Sequence, residues 1–385
     1  MTHNSHIEQL IHNLCPSGVP YKTLGETCLI KTGKGITQSD AANGGVYPII
    51  SGGVEPMGFY HIKNRDANTV TISRVGANAG YVNYITKDFY LNDKCFSIIP
   101  TDSYKNLITS KFLYIYLSFI EDIIRDLQSK SGVPTINTQK LGALLIPLPP
   151  LPIQEEIVQI LDTFAELITN IDTEIHERQK QLGRALSFLF DLNRPMKTLG
   201  EVGEFLRGNG LQKKDFVEKG IGCIHYGQIY TKFGTSAIET LTYVSEQLAE
   251  KLLKVHTGNL IIACTGENIE DLCKSVVWMG KDDIVIGGHS IVYRHNQDPL
   301  YIAYYFQSPL FAKQKVKYII GAKVSDIKAE NIAKITIPLP PLTEQRAIAE
   351  KLDTIEALIS NLKTERDLRQ QQYEYYREYL INLLK

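Results

Sequence analysis

A chain of 385 residues, 43% hydrophobic and 22% charged, has the make-up of an ordinary globular protein, long enough for two domains with separate cores. No window nears the roughly 18 apolar residues of a membrane span. The six cysteines (Cys15, Cys28, Cys95, Cys223, Cys264, Cys273) lie far apart without a Cys-x-x-Cys pair, which argues against zinc or a disulfide framework and for reduced, packing thiols. A formal net charge of −1 lacks the surplus Lys and Arg that phosphate neutralisation calls for.

In chain order, residues 1–14 are polar and His-rich rather than signal-like, so the expected location is the cytoplasm. Lys22-Thr23-Leu24-Gly25-Glu26 and Gly33-Lys34-Gly35-Ile36 follow. Short β-branched runs at 69–72 and 95–99, bounded by Gly and Asn turns, predict strands. An amphipathic pattern over about 111–127 predicts a helix. Next comes Ile146-Pro147-Leu148-Pro149-Pro150-Leu151, whose adjacent prolines stop a helix and make a stiff extended connector. About 40 residues of helical pattern follow, with a seam at Ile157, Leu161, Phe164, Ile168, Ile171, Ile175, Arg178, Leu182, Ala185, Leu189 and Leu192.

The chain then repeats itself. Lys197-Thr198-Leu199-Gly200-Glu201 and Gly208-Asn209-Gly210-Leu211 restate the first motifs 175 positions on. Runs at 259–263 and 290–293 predict strands, and about 300–318 a helix. Ile337-Pro338-Leu339-Pro340-Pro341-Leu342 restates the proline junction 191 positions on, so the second copy has gained residues in between. A second seam runs Ile348, Leu352, Ile355, Ile359, Leu362, Arg366, Arg369, Tyr373, Tyr376, Leu380, Leu383. Heptads sustained this long signal a coiled coil. Arg178 matches Arg369; a polar seam residue either fixes register or is an arginine that snorkels.

The expected architecture is α/β (α+β), with two copies of a recognition domain separated by two long helices that form an antiparallel coiled coil, giving a pseudo-two-fold internal repeat. The domains are 1–152 and 194–342, the helices 153–193 and 343–385. Antiparallel pairing needs no long return connection. A helix of about 40 residues is roughly 60 Å long at 1.5 Å per residue, against a B-DNA turn of about 34 Å. Two similar modules on such a rod suit a two-part DNA site; a dimerisation stalk between unrelated domains is the alternative.

The Leu-Cys-Pro-x-Gly-Val-x-Tyr-x-x-Leu-Gly-Glu opening (residues 14–26), the paired Pro-Leu-Pro-Pro-Leu junctions, the Gln-x-x-Ile-x-x-x-Leu-Asp helix starts at 154–162 and 345–353, and the Tyr-rich end at 372–380 resemble type I restriction-modification specificity subunits, especially the IC-like branch. The resemblance covers nearly the whole chain. It implies that each domain reads half of a bipartite duplex target and that the helices set the spacer and dock two methyltransferase subunits. It further implies that restriction subunits join, and that S-adenosylmethionine binds in the methyltransferase and not in this chain. No phosphate loop, Gly-x-Gly-x-x-Gly after a strand, His-Glu-x-x-His or Asn-Pro-Pro-Tyr motif is present, so no catalytic or metal site is expected. The bare Gly33-x-Gly35 and Gly208-x-Gly210 read as turns.

Where two copies share a scaffold, their differences are where different base preferences can reside. Ser73-Arg74-Val75-Gly76-Ala77-Asn78-Ala79-Gly80 aligns with Ala263-Cys264-Thr265-Gly266-Glu267-Asn268-Ile269-Glu270. Arginine can bridge guanine N7 and O6, asparagine adenine N6 and N7, and glutamate can accept from cytosine N4. Arg74, Asn78, Glu267 and Asn268, with Ser73 and Thr265 beside them, are therefore candidate readers, although Arg74 could instead pair with a carboxylate. His289 is a candidate DNA contact or a structural histidine. Phosphate contacts are expected from Lys34, Gln38, Asn209, Lys213 and Lys214 in the glycine loops. Before the junctions the candidates are Lys130, Ser131, Thr135, Asn137 and Lys140, then Lys317, Lys323, Ser325 and Lys328. Acidic helix faces (Glu155, Glu156, Glu166, Glu174, Glu344, Glu350, Glu356) would draw negative charge onto the rod and leave basic patches on the domains. Competing readings are a two-domain protein-binding adaptor and a fused restriction-methylation enzyme.

Overall fold

The computed structural model describes residues 3–41, 44–129, 132–190, 194–266, 268–319 and 325–385, with backbone alone for 3–5. It divides into two units, Met1–Ile171 with Glu365–Lys385, and Asp172–Thr364. In the first unit a helix, His3–Leu14, precedes a short clasp in which Tyr21–Thr23 pairs antiparallel with Leu145–Pro147. The chain thus enters and leaves the strand-rich part side by side. Thr23 caps the turn that follows: its hydroxyl takes the Glu26 N–H while the Glu26 carboxylate takes the Thr23 N–H at 2.9 Å, a reciprocal box that satisfies two orphan donors.

The β-branched runs become an antiparallel sheet in the order Cys28–Thr32, Cys95–Pro100, Thr69–Ser73, Val82–Ile85. Thr69–Ser73 is buried throughout, because the helix Ser110–Phe119 packs across it and its neighbour. A smaller sheet sets Tyr47–Ile50 between Phe59–Tyr60 and Tyr90–Leu91.

The second unit restates this plan. Its clasp pairs Met196–Thr198 antiparallel with Thr336–Pro338, and Thr198 and Glu201 repeat the box. The matching sheet runs Gly203–Arg207, Ser290–His295, Leu260–Ala263, Ser275–Trp278, with Ser236–Ala237 added in parallel at the edge. The residues gained by the second copy enlarge the smaller sheet to four strands, Thr242–Val244, Ile221–Ile224, Ile284–Ile286, Leu253–Val255.

The two helices expected before the proline junctions are each broken. The first is Ser110–Phe119 and Glu121–Asp126, interrupted at Ile120. The second is Pro299–Gln307 and Pro309–Lys315, followed by a 3-10 turn at Val316–Tyr318. Pro309 cannot donate into the preceding turn, so the chain restarts with Ser308 as cap, its hydroxyl accepting from the Phe311 N–H at 3.2 Å.

Past each junction runs one long helix, Leu151–Leu189 and Leu342–Asn382. Every described seam position is at least partly buried; Leu192 lies outside the described residues. In the first unit the start of one helix meets the end of the other. Phe164 stacks on Tyr376 at 5.1 Å, and Ile153, Ile157 and Leu161 share a core with Leu380, Ile381 and Leu384. In the second unit Leu182, Leu186 and Phe190 share a core with Ile348, Ala349 and Leu352, and Arg194 pairs with Glu344. Pairing within each unit is antiparallel. Arg178 bonds to Glu174 and Gln181, and Arg369 to Glu365 and Gln372. Both guanidiniums are satisfied along their own helix, which is the snorkelling alternative.

The repeated glutamine at each helix start has a physical role. Gln154, fully buried, takes the Thr109 N–H at 2.9 Å and donates to the carbonyls of Leu107 and Pro149. Gln345 takes the Asp298 N–H at 3.1 Å and donates to Pro340. Each locks the long helix to the N-cap of the helix before the junction. All six cysteines are buried and unpaired. Among the described residues no helix is long and apolar enough to cross a membrane, and no His, Cys, Asp and Glu cluster could hold a metal ion.

Candidate nucleic-acid interface

Because the four matched strands of each main sheet run antiparallel, the ends of two strands and the starts of two others meet at one edge. In the first unit Thr32 stands opposite Phe96 and Ser73 opposite Cys95. The loops after residues 32 and 73 and those before 82 and 95 therefore converge, joined by the segment at 133–137. Backbone bonds weld them. The Arg74 N–H donates to Lys94 O at 2.7 Å and the Ile136 N–H to Arg74 O at 2.9 Å, the Gly76 N–H reaches Pro134 O at 3.0 Å, and Val75 bridges Thr135. Gly33 is held so close that a Cβ there would lie 1.9 Å from Leu91 O, so only glycine fits.

The second unit builds the same frame from other residues. The Cys264 N–H donates to His289 O and the Ile327 N–H to Cys264 O, both at 3.1 Å, and Thr265 and Gly266 pair with Asp326 and Ser325. A Cβ at Gly208 would lie 2.3 Å from Gly287 O. Cys264 thus stands where Arg74 does, and His289 where Lys94 does. The frame is constant and its side chains differ.

The structure sorts the sequence-predicted residues by length of side chain. Short polar groups are spent on the loops themselves, as amides and hydroxyls near their own backbone tend to be. Asn78 donates to Gly52 O, Asn209 to Lys251 O, and Thr135 to Val133 O. Asn137 caps the turn Thr138–Gly142, and Asn268 takes the Glu270 N–H. Ser73 and Ser325 depart from expectation: both residues are buried, at 3% and 6% exposure, Ser73 lying against Cys95 and Ser325 in the short strand pair. Long basic chains are different. Lys34, Lys140, Lys213, Lys214, Lys317 and Lys328 are exposed, as is Gln38. Arg74 rests 5.8 Å from the Phe96 ring and gives one N–H to Asp93 O at 3.3 Å, leaving most of its guanidinium donors unengaged among the described residues. Among the described residues no carboxylate pairs with it. Lys130, Ser131, Glu267 and Lys323 lie outside the described residues.

His289 is exposed, with Nδ1 3.2 Å from the Thr265 hydroxyl and its ring 4.9 Å from Tyr226. That aromatic contact continues to His225 at 4.5 Å and on to Phe216 at 6.0 Å, beside a hollow lined by Lys213, Gln228 and Lys232. Burial, aided by Lys213 and His289, lowers the pKa of His225, favouring its neutral form.

Sequence reasoning missed Lys94, Arg207 and this aromatic run. Lys94 is exposed one residue before the Cys95 strand, as His289 is before Ser290, so a register of 195 would have matched them. Arg207 donates to Gly288 O and pairs with Asp326 at 3.3 Å. His225 and Tyr226 open the stretch between Ile221–Ile224 and Thr242–Val244, which is longer than its counterpart between Tyr47–Ile50 and Phe59–Tyr60, a gain that was itself the available signal.

A family model described as the type I restriction modification DNA specificity domain matches residues 16–178 and 194–368. The type I restriction enzyme MjaVIII specificity subunit of Methanocaldococcus jannaschii is 25% identical over 354 residues, covering 85% of this chain and 81% of that protein. The EcoR124I/EcoR124II specificity subunit of Escherichia coli is 26% identical over 323 residues, 78% of each. Among solved structures, the type I S subunit from M. genitalium aligns with a TM-score of 0.62 at 18% identity, covering 95% of this chain and 96% of that one. A chain from a type I system solved for its complex assembly and conformational transition aligns at 0.59 and 17%, covering 95% and 98%. At these identities the two structures share the fold.

Proposed function

Since the chain belongs to the type I restriction modification DNA specificity family, whose specificity subunits are non-catalytic DNA-recognition components, we propose that each unit reads one half of a bipartite target. The reading surface is the loop edge of the main sheet. Exposed lysines there meet phosphates, while Arg74 and Lys94 in one unit, and His289 with Thr265 in the other, face base edges. The two long helices set the spacer and carry two methyltransferase subunits, which bind S-adenosylmethionine; restriction subunits join the same assembly.

The observation that carries this reading is the repeated frame itself. Two loop clusters welded by matching backbone bonds but bearing different side chains suit two readers of different sequences. Their geometry would serve a single catalytic centre poorly.

The test is to map methylated adenines in DNA from cells that express this chain with its methyltransferase. Duplexes altered in one half of the recovered target are then used in retardation assays at fixed salt. A target of two short specific blocks around an unspecified spacer is expected. Methylation at one undivided block, or failure of the complex to retain any duplex selectively, would overturn the reading and favour a protein-binding adaptor.

A further inference from the structure

A base-reading side chain is only as selective as its backbone is still, since bidentate geometry tolerates displacements of about half an ångström. In the second unit the loop between Leu260–Ala263 and Ser275–Trp278 carries Thr265 and Asn268. Lys315, at the end of the helix Pro309–Lys315, reaches into that loop. Its Nζ donates to Glu270 O at 2.7 Å and to Leu272 O at 2.6 Å, and the residue is 6% exposed. Between those carbonyls and the next strand sits Cys273, buried and held at φ +67°, a conformation that side chains other than glycine adopt only when their surroundings impose it. A buried ammonium answered by backbone carbonyls is a costly way to fill space, which an apolar residue would do better. Its bonds go to the loop.

The first unit reaches the same end differently. Gln128, just past the helix Glu121–Asp126, donates to Ala79 O at 2.5 Å. Here Gly80, at φ +96°, lets the loop lie directly on that helix: a Cβ would stand 2.8 Å from Arg125 Cγ. In the second copy Glu270 aligns with Gly80, and a longer side chain makes the bond.

We propose that Lys315 and Gln128 are positioning residues for base discrimination, each tying the variable loop of its unit to the helix behind it. The inference rests on the reading of the units as two half-site readers. Neither side chain touches DNA; each fixes the carbonyls from which the reading residues hang.

The experiment uses the complex of the full chain with its methyltransferase, and duplexes carrying the mapped target or one changed base pair in either half. Lys315→Met should lower discrimination at the half read by the second unit by at least about tenfold and leave the other half within about twofold. Gln128→Leu should do the reverse. Lys315→Arg, which keeps the donors, should stay within about threefold of the parent. Unchanged discrimination in Lys315→Met, equal losses at both halves, or an equal loss in Lys315→Arg would overturn the proposal. If Lys315→Met yields no complex, Gln128→Leu decides by the same criteria. A parent complex that selects no bipartite duplex would instead overturn the half-site reading itself, so the two failures are distinct.

Discussion

Arg74 and Cys264 occupy one point of two matching frames, but Cys264 is buried, so of the two only the guanidinium can meet a base edge. If Arg74 bridges a guanine, Arg74→Ala should cost about 1–3 kcal/mol of discrimination at the half-site of the first unit, with the other half unaffected. Competitive retardation at constant salt measures it. A second residue reports stability. Burial pushes the pKa of His295 down from 6.5 to about 4, and its Nε2 has no hydrogen-bond partner among the described residues. The unfolded chain takes the proton first on acidification. The second unit therefore holds its full stability above pH 6.5 and loses on the order of 1–3 kcal/mol as pH falls from 6.5 toward 4. Thermal melts across that window should show a slope that His295→Gln flattens.

Among the elements, the long helices and main strands were legible because they obey strong periodicities. Heptads mark a buried seam wherever they occur, and β-branched runs between glycine turns leave few alternatives. The breaks at Ile120 and Pro309 were less so, since amphipathic spacing continues across them. The reading loops were legible only by position. Asn78, Asn209 and Ser73 carry the right chemistry for bases or phosphates, but whether a short polar side chain faces solvent or its own backbone is decided by loop geometry, which no periodicity encodes. The junction glutamines were visible as a motif, and the structure supplies their reason. Replacing Gln345 by Leu removes the acceptor of the Asp298 N–H and the donor to Pro340 O, and should destabilise the second unit by about 1–3 kcal/mol. Denaturant midpoints would show this, with Gln154→Leu giving the matching loss in the first unit.

At the scale of the whole molecule, the near-neutral charge is unevenly spread. The two long helices hold 15 acidic and 9 basic residues, leaving 32 basic against 27 acidic elsewhere. The strand-rich parts are thus net positive in a chain that is not, as duplex binding requires. The proposal that the helices set the spacer makes a metric prediction. One heptad inserted in each adds about 10 Å of helix, about three base pairs at roughly 3.4 Å each. The methylated target should gain that many unspecified positions while both half-sites stay the same. An unchanged spacer would contradict the role given to the helices.

The clasps carry one more consequence. Because the strands Tyr21–Thr23 and Leu145–Pro147 are hydrogen-bonded neighbours, as are Met196–Thr198 and Thr336–Pro338, each proposed reading head is a cassette whose two ends sit together. Genetic exchange at the short coding stretches for those ends would replace a whole head without disturbing the helices. The two clasps share their opening sequence, Lys-Thr-Leu-Gly-Glu, and their closing Ile-Pro-Leu-Pro-Pro-Leu. On the proposed reading, a chain carrying two copies of one head would recognise the same short block in both halves of its target.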